Sequence, residues 1–260
     1  MQTPHTGGMR YSNDVAQIPA AAITLEDADM LARMQQRKQR ITVRLSMDAK
    51  MMPDVRSRNV VAEIVGREHP EEIVILSGHI DSWDVGTGAM DDGGGALAAW
   101  EAVRLIHKLG LHPRRTLRVV FWTNEENGLA GARAYRATHQ NELTNHVLAV
   151  ESDAGVFRPL GFNFAGSQAG AGYLLAVTQL LKPIQASNLG LNLEGADVSE
   201  LNEQDVPAAD LDTDGSFYFW YHHTEGDTVD KLRVSDFNLC VAAFAVMGYV
   251  VADMPERLPR

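Results

Sequence analysis

Residues 77–95 read SGHIDSWDVGTGAMDDGGG and join an apolar, β-branched run to an apolar helical pattern. Residues 73–80 predict a strand because β-branched side chains are continuous there. Residues 96–109 place their apolar side chains on one face and end in a basic turn before Gly110, which predicts a helix. A glycine-rich loop therefore lies between the carboxyl end of a strand and the start of a helix.

Strands and helices alternate on either side of this unit. Strands are predicted at residues 60–65, 117–122 and 146–150, and further helices at residues 173–181 and 234–252. The short connection at residues 66–70 predicts that the first two strands form an antiparallel hairpin at one edge. The other strands are almost continuously apolar, which is typical of an α/β fold with a mostly parallel, mixed sheet covered by helices on both faces.

The first fifth of the chain has a different pattern. Residues 25–37 predict a helix opened by acidic side chains, and residues 40–45 alternate as a strand does. Residues 51–59 read as a linker, since they combine Pro53, Asp54 and several polar residues. We therefore predict one unit at residues 1–50 and a second domain at residues 51–260.

Composition excludes several classes of protein. The 260 residues carry 23 Lys and Arg against 34 Asp and Glu, a net charge of −11, which argues against a nucleic-acid partner. The single cysteine, Cys240, excludes an intrachain disulfide and a thiolate zinc site. No membrane span is predicted, because the longest apolar run, residues 239–252, is shorter than the roughly 20 residues that a bilayer needs. No signal peptide is predicted, because residues 1–11 are polar and lack an apolar stretch.

Five groups of polar side chains lie in this pattern, four of them at predicted strand ends. Each group alone has a simple explanation, such as a solvated turn or acids at a helix start. Together they deliver carboxylates and imidazoles to the edge where α/β sheets bind ligands, and this donor set suits two zinc ions. The groups are His79 with Asp81, Asp91 with Asp92, Glu125 with Glu126, Glu151 with Asp153, and His222 with His223.

These motifs resemble those of the glutamate carboxypeptidase and aminopeptidase Y family of co-catalytic zinc peptidases. The resemblance rests on residues 77–95, WTNEE at residues 122–126, ESD at residues 151–153 and HHTEGDT at residues 222–228. It implies a zinc-exopeptidase fold of the phosphorylase/hydrolase-like type. It also implies that residues 1–50 are the end of a protease-associated lobe.

The resemblance implies a role for each matching residue. Two zinc ions per chain would be bridged by Asp91, and His79 and Asp153 would lie on separate ions. Glu126 and His223 complete the set, with His222 the less favoured imidazole. Glu125 corresponds to the general base. Asp81 would orient the imidazole of His79 without binding a metal itself. Asp227 lies four residues after His223, as in the family.

The implied activity is hydrolysis of terminal peptide bonds in dipeptides or short peptides. The alternatives are an aminopeptidase for longer peptides, a binding module without catalysis, a one-zinc glutaminyl cyclase and a truncated, inactive fragment. Family likeness also implies a homodimer and an exported protein, whether periplasmic, secreted or lysosomal. Residues 217–221 are interpreted as a buried aromatic strand rather than a pocket wall, and Asp197 as a helix cap rather than a substrate contact.

Overall fold

A seven-stranded mixed sheet runs through the computed structural model, which describes residues 3–50 and 52–260. Its strands lie in the order β1-β3-β2-β4-β7-β5-β6. The central strands β3, β2, β4 and β7 run parallel, while β1 and β5 pair antiparallel to β3 and β7. The strands are β1 (Val60–Ile64), β2 (His69–His79), β3 (Arg115–Trp122), β4 (His146–Glu151), β5 (Pro159–Ala165), β6 (Asn188–Gly190) and β7 (Ala208–Thr213).

Helices cover both faces of this sheet, as the sequence predicts. Successive residues of β2 point to opposite faces, so Leu76 packs with α2 and α6 while Ile75 packs with α3 and α5. The helices are α1 (Leu25–Gln36), α2 (Gly94–Lys108), α3 (Ala130–Thr138), α4 (Gln168–Thr178), α5 (Ala196–Asn202) and α6 (Val234–Asp253). A mostly parallel, mixed sheet between helices is thereby confirmed.

Helix α6 is long and apolar enough to cross a membrane by length and composition alone. In the structure, however, Cys240, Phe244 and Met247 are fully buried in the same core as α2 and the sheet. Such packing is that of a core helix, because these side chains face protein on the side that the sheet occupies.

The predicted hairpin does not form. β1 and β2 are consecutive in the chain, but β3 lies between them, and β1 pairs antiparallel to β3 at the sheet edge. The connection passes over the start of β3, where the N–H of Arg67 donates to Pro113 and that of His69 donates to Arg114. A Cβ on Gly66 would lie 2.5 Å from a backbone atom of Arg115. The prediction of an antiparallel edge strand is confirmed, but the predicted partner, β2, was wrong.

The N-terminal region contains the predicted helix but lacks the predicted strand. Thr24 caps α1 by accepting a hydrogen bond from the N–H of Asp27. Residues 40–45 form no strand, because no described segment pairs with them and Val43 and Leu45 remain exposed. The boundary near residue 50 and the protease-associated lobe stay predictions.

Candidate metal centre

All five predicted metal ligands meet at the carboxyl edge of the sheet. His79 is the last residue of β2, Glu126 follows β3 and Asp153 follows β4. Asp91 lies in the short turn Ala89–Gly93 immediately before α2, where its own backbone angles are not helical (φ −128°, ψ 88°). His223 arrives from the loop after β7. The parallel strands end at the same edge, which explains why these sequence-distant side chains converge.

The two carboxylate oxygens of Asp91 face two different groups. Asp91 Oδ1 lies 3.1 Å from His79 Nε2, which in turn lies 3.2 Å from Asp153 Oδ1. Asp91 Oδ2 lies 3.2 Å from His223 Nε2, which lies 2.9 Å from Glu126 Oε2. Asp91 thus stands between the two groups, as expected of a bridging ligand. This geometry argues against the expectation that His79 and Asp153 serve separate ions, because both side chains lie on the Oδ1 side of Asp91.

Two adjacent imidazoles compete for the second side. The rings of His222 and His223 stack with their centroids 3.5 Å apart. His222 Nε2 lies 3.5 Å from Asp91 Oδ2, farther than His223 Nε2, and His223 also contacts Glu126. The geometry therefore favours His223, the residue that the family resemblance also favours.

Buried oxygens without hydrogen bonds indicate that the centre fits cations. Asp91 Oδ2 and Glu126 Oε1 are shielded from solvent and have no aligned hydrogen-bond donor among the described residues. The cluster contains three groups of three side chains in which the three ligand atoms lie within 4.8 Å of one another. Besides the five predicted ligands, these groups include Asp92 and His222. Unpaired buried carboxylate oxygens are costly unless a cation compensates them. Nitrogen and oxygen donors in such a set suit zinc.

Both ligand imidazoles have their Nε2 atoms directed into the centre. His79 Nδ1 donates to the backbone carbonyl of Asp81 (2.9 Å), and His223 Nδ1 donates to that of Thr6 (3.0 Å). Because a carbonyl oxygen can only accept, each Nδ1 carries the proton and each Nε2 has a free lone pair in the neutral ring. The carboxylate of Asp81 lies 3.7 Å from His79 Nδ1, so the support predicted for this residue comes from its main chain instead.

Glu125 lies in the same loop as Glu126 and has a shifted pKa. Burial, followed by the negative charge of Asp153, raises the pKa of Glu125 to about 7. Its backbone N–H donates to Asp81 Oδ1 (3.0 Å). A carboxylate with a pKa near neutrality can both accept and release a proton, which is the property required of a general acid–base group.

The pKa values of Asp91 and His223 depend on each other. Burial disfavours the charged form of His223, but the negative charges of Asp91 and Glu126, whose carboxylate oxygens lie 3.2 Å and 2.9 Å from His223 Nε2, outweigh it and raise its pKa to about 10. Burial likewise acts to raise the pKa of Asp91, yet His223 and His79 together lower it below its usual value. The lowered pKa of Asp91 and the raised pKa of His223 have one cause, the attraction between the carboxylates and the imidazoles.

Two further carboxylates hold the Asp91 loop in place. Asp92 Oδ2 accepts a hydrogen bond from the N–H of His79 (3.0 Å), and Asp92 Oδ1 accepts one from Gly95 (3.1 Å). Asp227 accepts hydrogen bonds from the N–H of Met90 (2.6 Å) and Asp91 (3.1 Å). The sequence indicated Asp227 by its spacing. Asp92 was predicted only as one of a pair of acids at this edge, without a role of its own, and the structure buries it fully.

A buried carboxyl pair behind the centre was not predicted. Glu151 and Asp197 are both fully buried, and the pKa of each is raised by burial and by neighbouring carboxylates. Glu151 Oε2 accepts a hydrogen bond from the N–H of Val198. Asp197 lies in the first turn of α5 but caps no backbone N–H, so its interpretation as a helix cap is wrong.

An aromatic turn separates two cavities beside the centre. Residues 217–221 form no buried strand: Gly215–Trp220 is a 3-10 turn, and Phe219 is 68% exposed. A cavity of about 290 Å³ lies on the side of Asp153 and Tyr218, and its other charged side chains are all acidic. A second cavity, of about 360 Å³, lies beside Trp220 and Tyr221. The buried-strand interpretation is therefore wrong, and side chains of this turn line both cavities.

Comparison with known proteins gives concordant matches. Residues 59–247 match the model of peptidase family M28. The chain is 51% identical to carboxypeptidase Q of Xenopus laevis and 47% identical to that of Homo sapiens, in each case over 99% of this chain and 55% of the relative. The crystal structure of a peptidase M28 precursor from Shewanella amazonensis superposes with a TM-score of 0.95 at 36% identity, over 100% of this chain and 59% of that one. The chain therefore spans little more than half the length of these relatives.

Proposed function

The chain belongs to peptidase family M28, and from this premise we propose that it is a dinuclear zinc exopeptidase that hydrolyses terminal peptide bonds of dipeptides or short peptides. The observation that carries the proposal is the position of Asp91 between the His79–Asp153 pair and the His223–Glu126 pair. A shared carboxylate flanked by two such pairs can bind two neighbouring metal ions.

Five side chains would hold the metals: His79, Asp91 and Asp153 on one side, with Asp91, Glu126 and His223 on the other. Zinc, when bound, would supply Lewis acidity that activates a water molecule and stabilises negative charge on the scissile carbonyl oxygen. The backbone and carboxylate contacts from Asp81, Asp92 and Asp227 would keep these ligands in position.

Glu125 would move the proton. Its carboxylate would accept a proton from the attacking water and then donate that proton to the nitrogen of the departing amine. A pKa near 7 in the metal-free site supports this role, because both proton transfers then proceed with little free-energy difference. The neighbouring Glu126 faces His223 and is assigned to metal binding.

The substrate would lie across the metal centre and the adjoining cavity of about 290 Å³. The name of the relatives, carboxypeptidase Q, supports a substrate with a free carboxyl terminus. On the same likeness we propose an exported homodimer. The net charge of −11 supports peptides rather than nucleic acid as the partner.

The test is a panel of unblocked, N-acetylated and C-amidated dipeptides, assayed after chelator treatment and again after zinc is restored. We expect two zinc ions per chain and cleavage that depends on at least one free end. Glu125→Gln should retain both zinc ions while kcat falls about 10²–10⁴-fold, whereas the exposed control Glu71→Gln should remain active.

Three results would overturn the proposal. A single bound zinc with cyclisation of N-terminal glutamine would favour the glutaminyl cyclase alternative. Zinc binding without turnover on any peptide would favour a binding module or an inactive fragment. Full activity of Glu125→Gln would remove Glu125 from the mechanism.

A further inference from the structure

The beginning of the described chain is hydrogen bonded to the loop that carries His223. The N–H of Thr6 donates to the carbonyl of His223 (2.9 Å), and His223 Nδ1 donates back to the carbonyl of Thr6 (3.0 Å). One residue earlier, His5 Nδ1 donates to the carbonyl of His222 (2.6 Å). These contacts join segments that lie 217 positions apart, and one of them reaches the imidazole itself.

The contact from Thr6 determines which nitrogen of His223 is available. The Thr6 carbonyl can only accept, so it holds the ring proton on Nδ1 and leaves Nε2 to face Asp91 and Glu126. His79 obtains the same support from Asp81, two residues away on its own strand. His223 obtains it from a distant segment, so the two sides of the centre depend on different parts of the chain.

The backbone of His223 also needs support. Its φ is +58°, in the left-handed region that non-glycine residues seldom adopt. The Thr6 N–H binds the carbonyl of this residue, while the Thr6 carbonyl binds its ring. Both the backbone turn and the direction of the ring are therefore held by one residue.

We propose that residues 5–6 are a positioning segment for the His223 side of the metal centre. This inference rests on the proposed function, since it takes His223 to be a metal ligand. Without the segment, the ring of His223 is free to rotate and to change its tautomer. The zinc affinity of the Glu126–His223 side would then fall, while the His79–Asp153 side would retain its own support from Asp81.

The experiment compares the full chain with a variant lacking residues 2–8. Competition with a chromophoric chelator measures both zinc dissociation constants, and the visible absorption of the cobalt-substituted protein reports ligand geometry. We expect one of the two affinities to fall about 10–100-fold, the usual effect of losing an outer partner of a metal-bound histidine, while the other is retained. Only the visible absorption of cobalt bound at that site should change.

Two matched substitutions test the backbone contact without a deletion. Thr6→Pro removes the N–H that binds His223, whereas Thr6→Ala keeps the backbone and removes only the side chain. Thr6→Pro should weaken the same zinc site and Thr6→Ala should not. A synthetic peptide of residues 1–10 added to the deletion variant should restore the lost affinity and the cobalt spectrum, which a general loss of folding would not allow.

Unchanged zinc affinities in the deletion variant, or an equal loss at both sites, would overturn the inference. So would failure of the peptide to restore binding while circular dichroism shows the deletion variant to be folded. These readouts measure metal binding rather than turnover. The positioning role therefore survives if the zinc-loaded full chain cleaves no peptide, a result that would overturn only the proposed function.

Discussion

The carboxylate of Asp81 accepts a hydrogen bond from the backbone N–H of Glu125 (3.0 Å). Its second oxygen accepts one from the N–H of Glu126 (3.3 Å), and its backbone carbonyl accepts one from His79 Nδ1 (2.9 Å). Asp81 thus ties the end of β2 to the loop after β3. Asp81 therefore fixes the position of the proposed ligand His79 relative to the proposed base Glu125.

Replacing Asp81 by alanine should affect the Glu125–Glu126 loop more than it affects His79. The backbone carbonyl that supports His79 remains, but two N–H groups of the Glu125–Glu126 loop lose their acceptor. We expect kcat for dipeptide hydrolysis to fall about 10–100-fold, with a smaller change in the zinc affinity of the His79 side. The exposed neighbour Asp84→Asn is the control. A loss of zinc from the His79 side with kcat per bound metal unchanged would contradict the assignment.

Glu125→Gln should make the metal-free protein more stable at alkaline pH. Burial and the negative charge of Asp153 raise the pKa of Glu125 from 4.5 to about 7. The folded state therefore binds this proton more tightly, and its contribution to stability is lost as pH rises from about 4.5 through 7. Glutamine carries no such charge. The difference in melting temperature, variant minus wild type, should be larger at pH 8 than at pH 5, and a constant difference would refute the shift.

Gly78→Ala should disrupt the contact between β2 and α2. A Cβ at Gly78 would lie 2.4 Å from Asp92 Oδ2 and 2.5 Å from the backbone nitrogen of Ala96. We expect a loss of about 1–3 kcal/mol in the free energy of unfolding, the usual cost of overpacking, together with weaker zinc binding. Gly172→Ala is the matched control. Gly172 lies inside α4, where an added Cβ would meet no atom within 4 Å, so alanine should stabilise by about 0.5–1 kcal/mol.

The parts of the fold that depend on local pattern were predictable from the sequence. Enough apolar patterning is present to recognise five elements in the sequence: strands β2, β3 and β4 and helices α2 and α6. The five polar groups were recognised for the same reason, because four of them lie at predicted strand ends, whereas the choice of ligands within these groups came from the family resemblance. Strand neighbours were not predictable in this way: the short connection after β1 suggested a hairpin, whereas β3 inserts between β1 and β2.

Features that depend on distant contacts could not be predicted from the sequence. Thr6 and His223 have no shared motif, and only the folded chain shows that they are hydrogen bonded. The pairing of His79 with Asp153 is likewise set by the adjacency of β2 and β4, which no spacing encodes. Residues 217–221 are aromatic enough to resemble a strand, yet their 3-10 turn leaves Phe219 exposed beside a cavity.

His146 supplies a prediction far from the metal centre. Its ring is fully buried: Nδ1 donates to the carbonyl of Glu142 (2.9 Å), and Nε2 accepts a hydrogen bond from the hydroxyl of Tyr135 (2.9 Å). Burial, reinforced by the positive charge of Arg118, lowers the pKa of His146 from 6.5 to about 4. The folded protein therefore holds this ring neutral at a pH where the unfolded chain is already protonated.

Stability should consequently fall as pH decreases from about 6.5 to 4, because the unfolded state takes up a proton that the folded state does not. The shift corresponds to about 3 kcal/mol at the acid end of this window, at about 1.4 kcal/mol per pKa unit. In His146→Gln, whose amide can still donate and accept, the free energy of unfolding measured in urea should decline less between pH 7 and 4.5 than in wild type. The exposed control His112→Gln should follow the wild type, and a decline in His146→Gln parallel to wild type would show that another group carries the acid sensitivity.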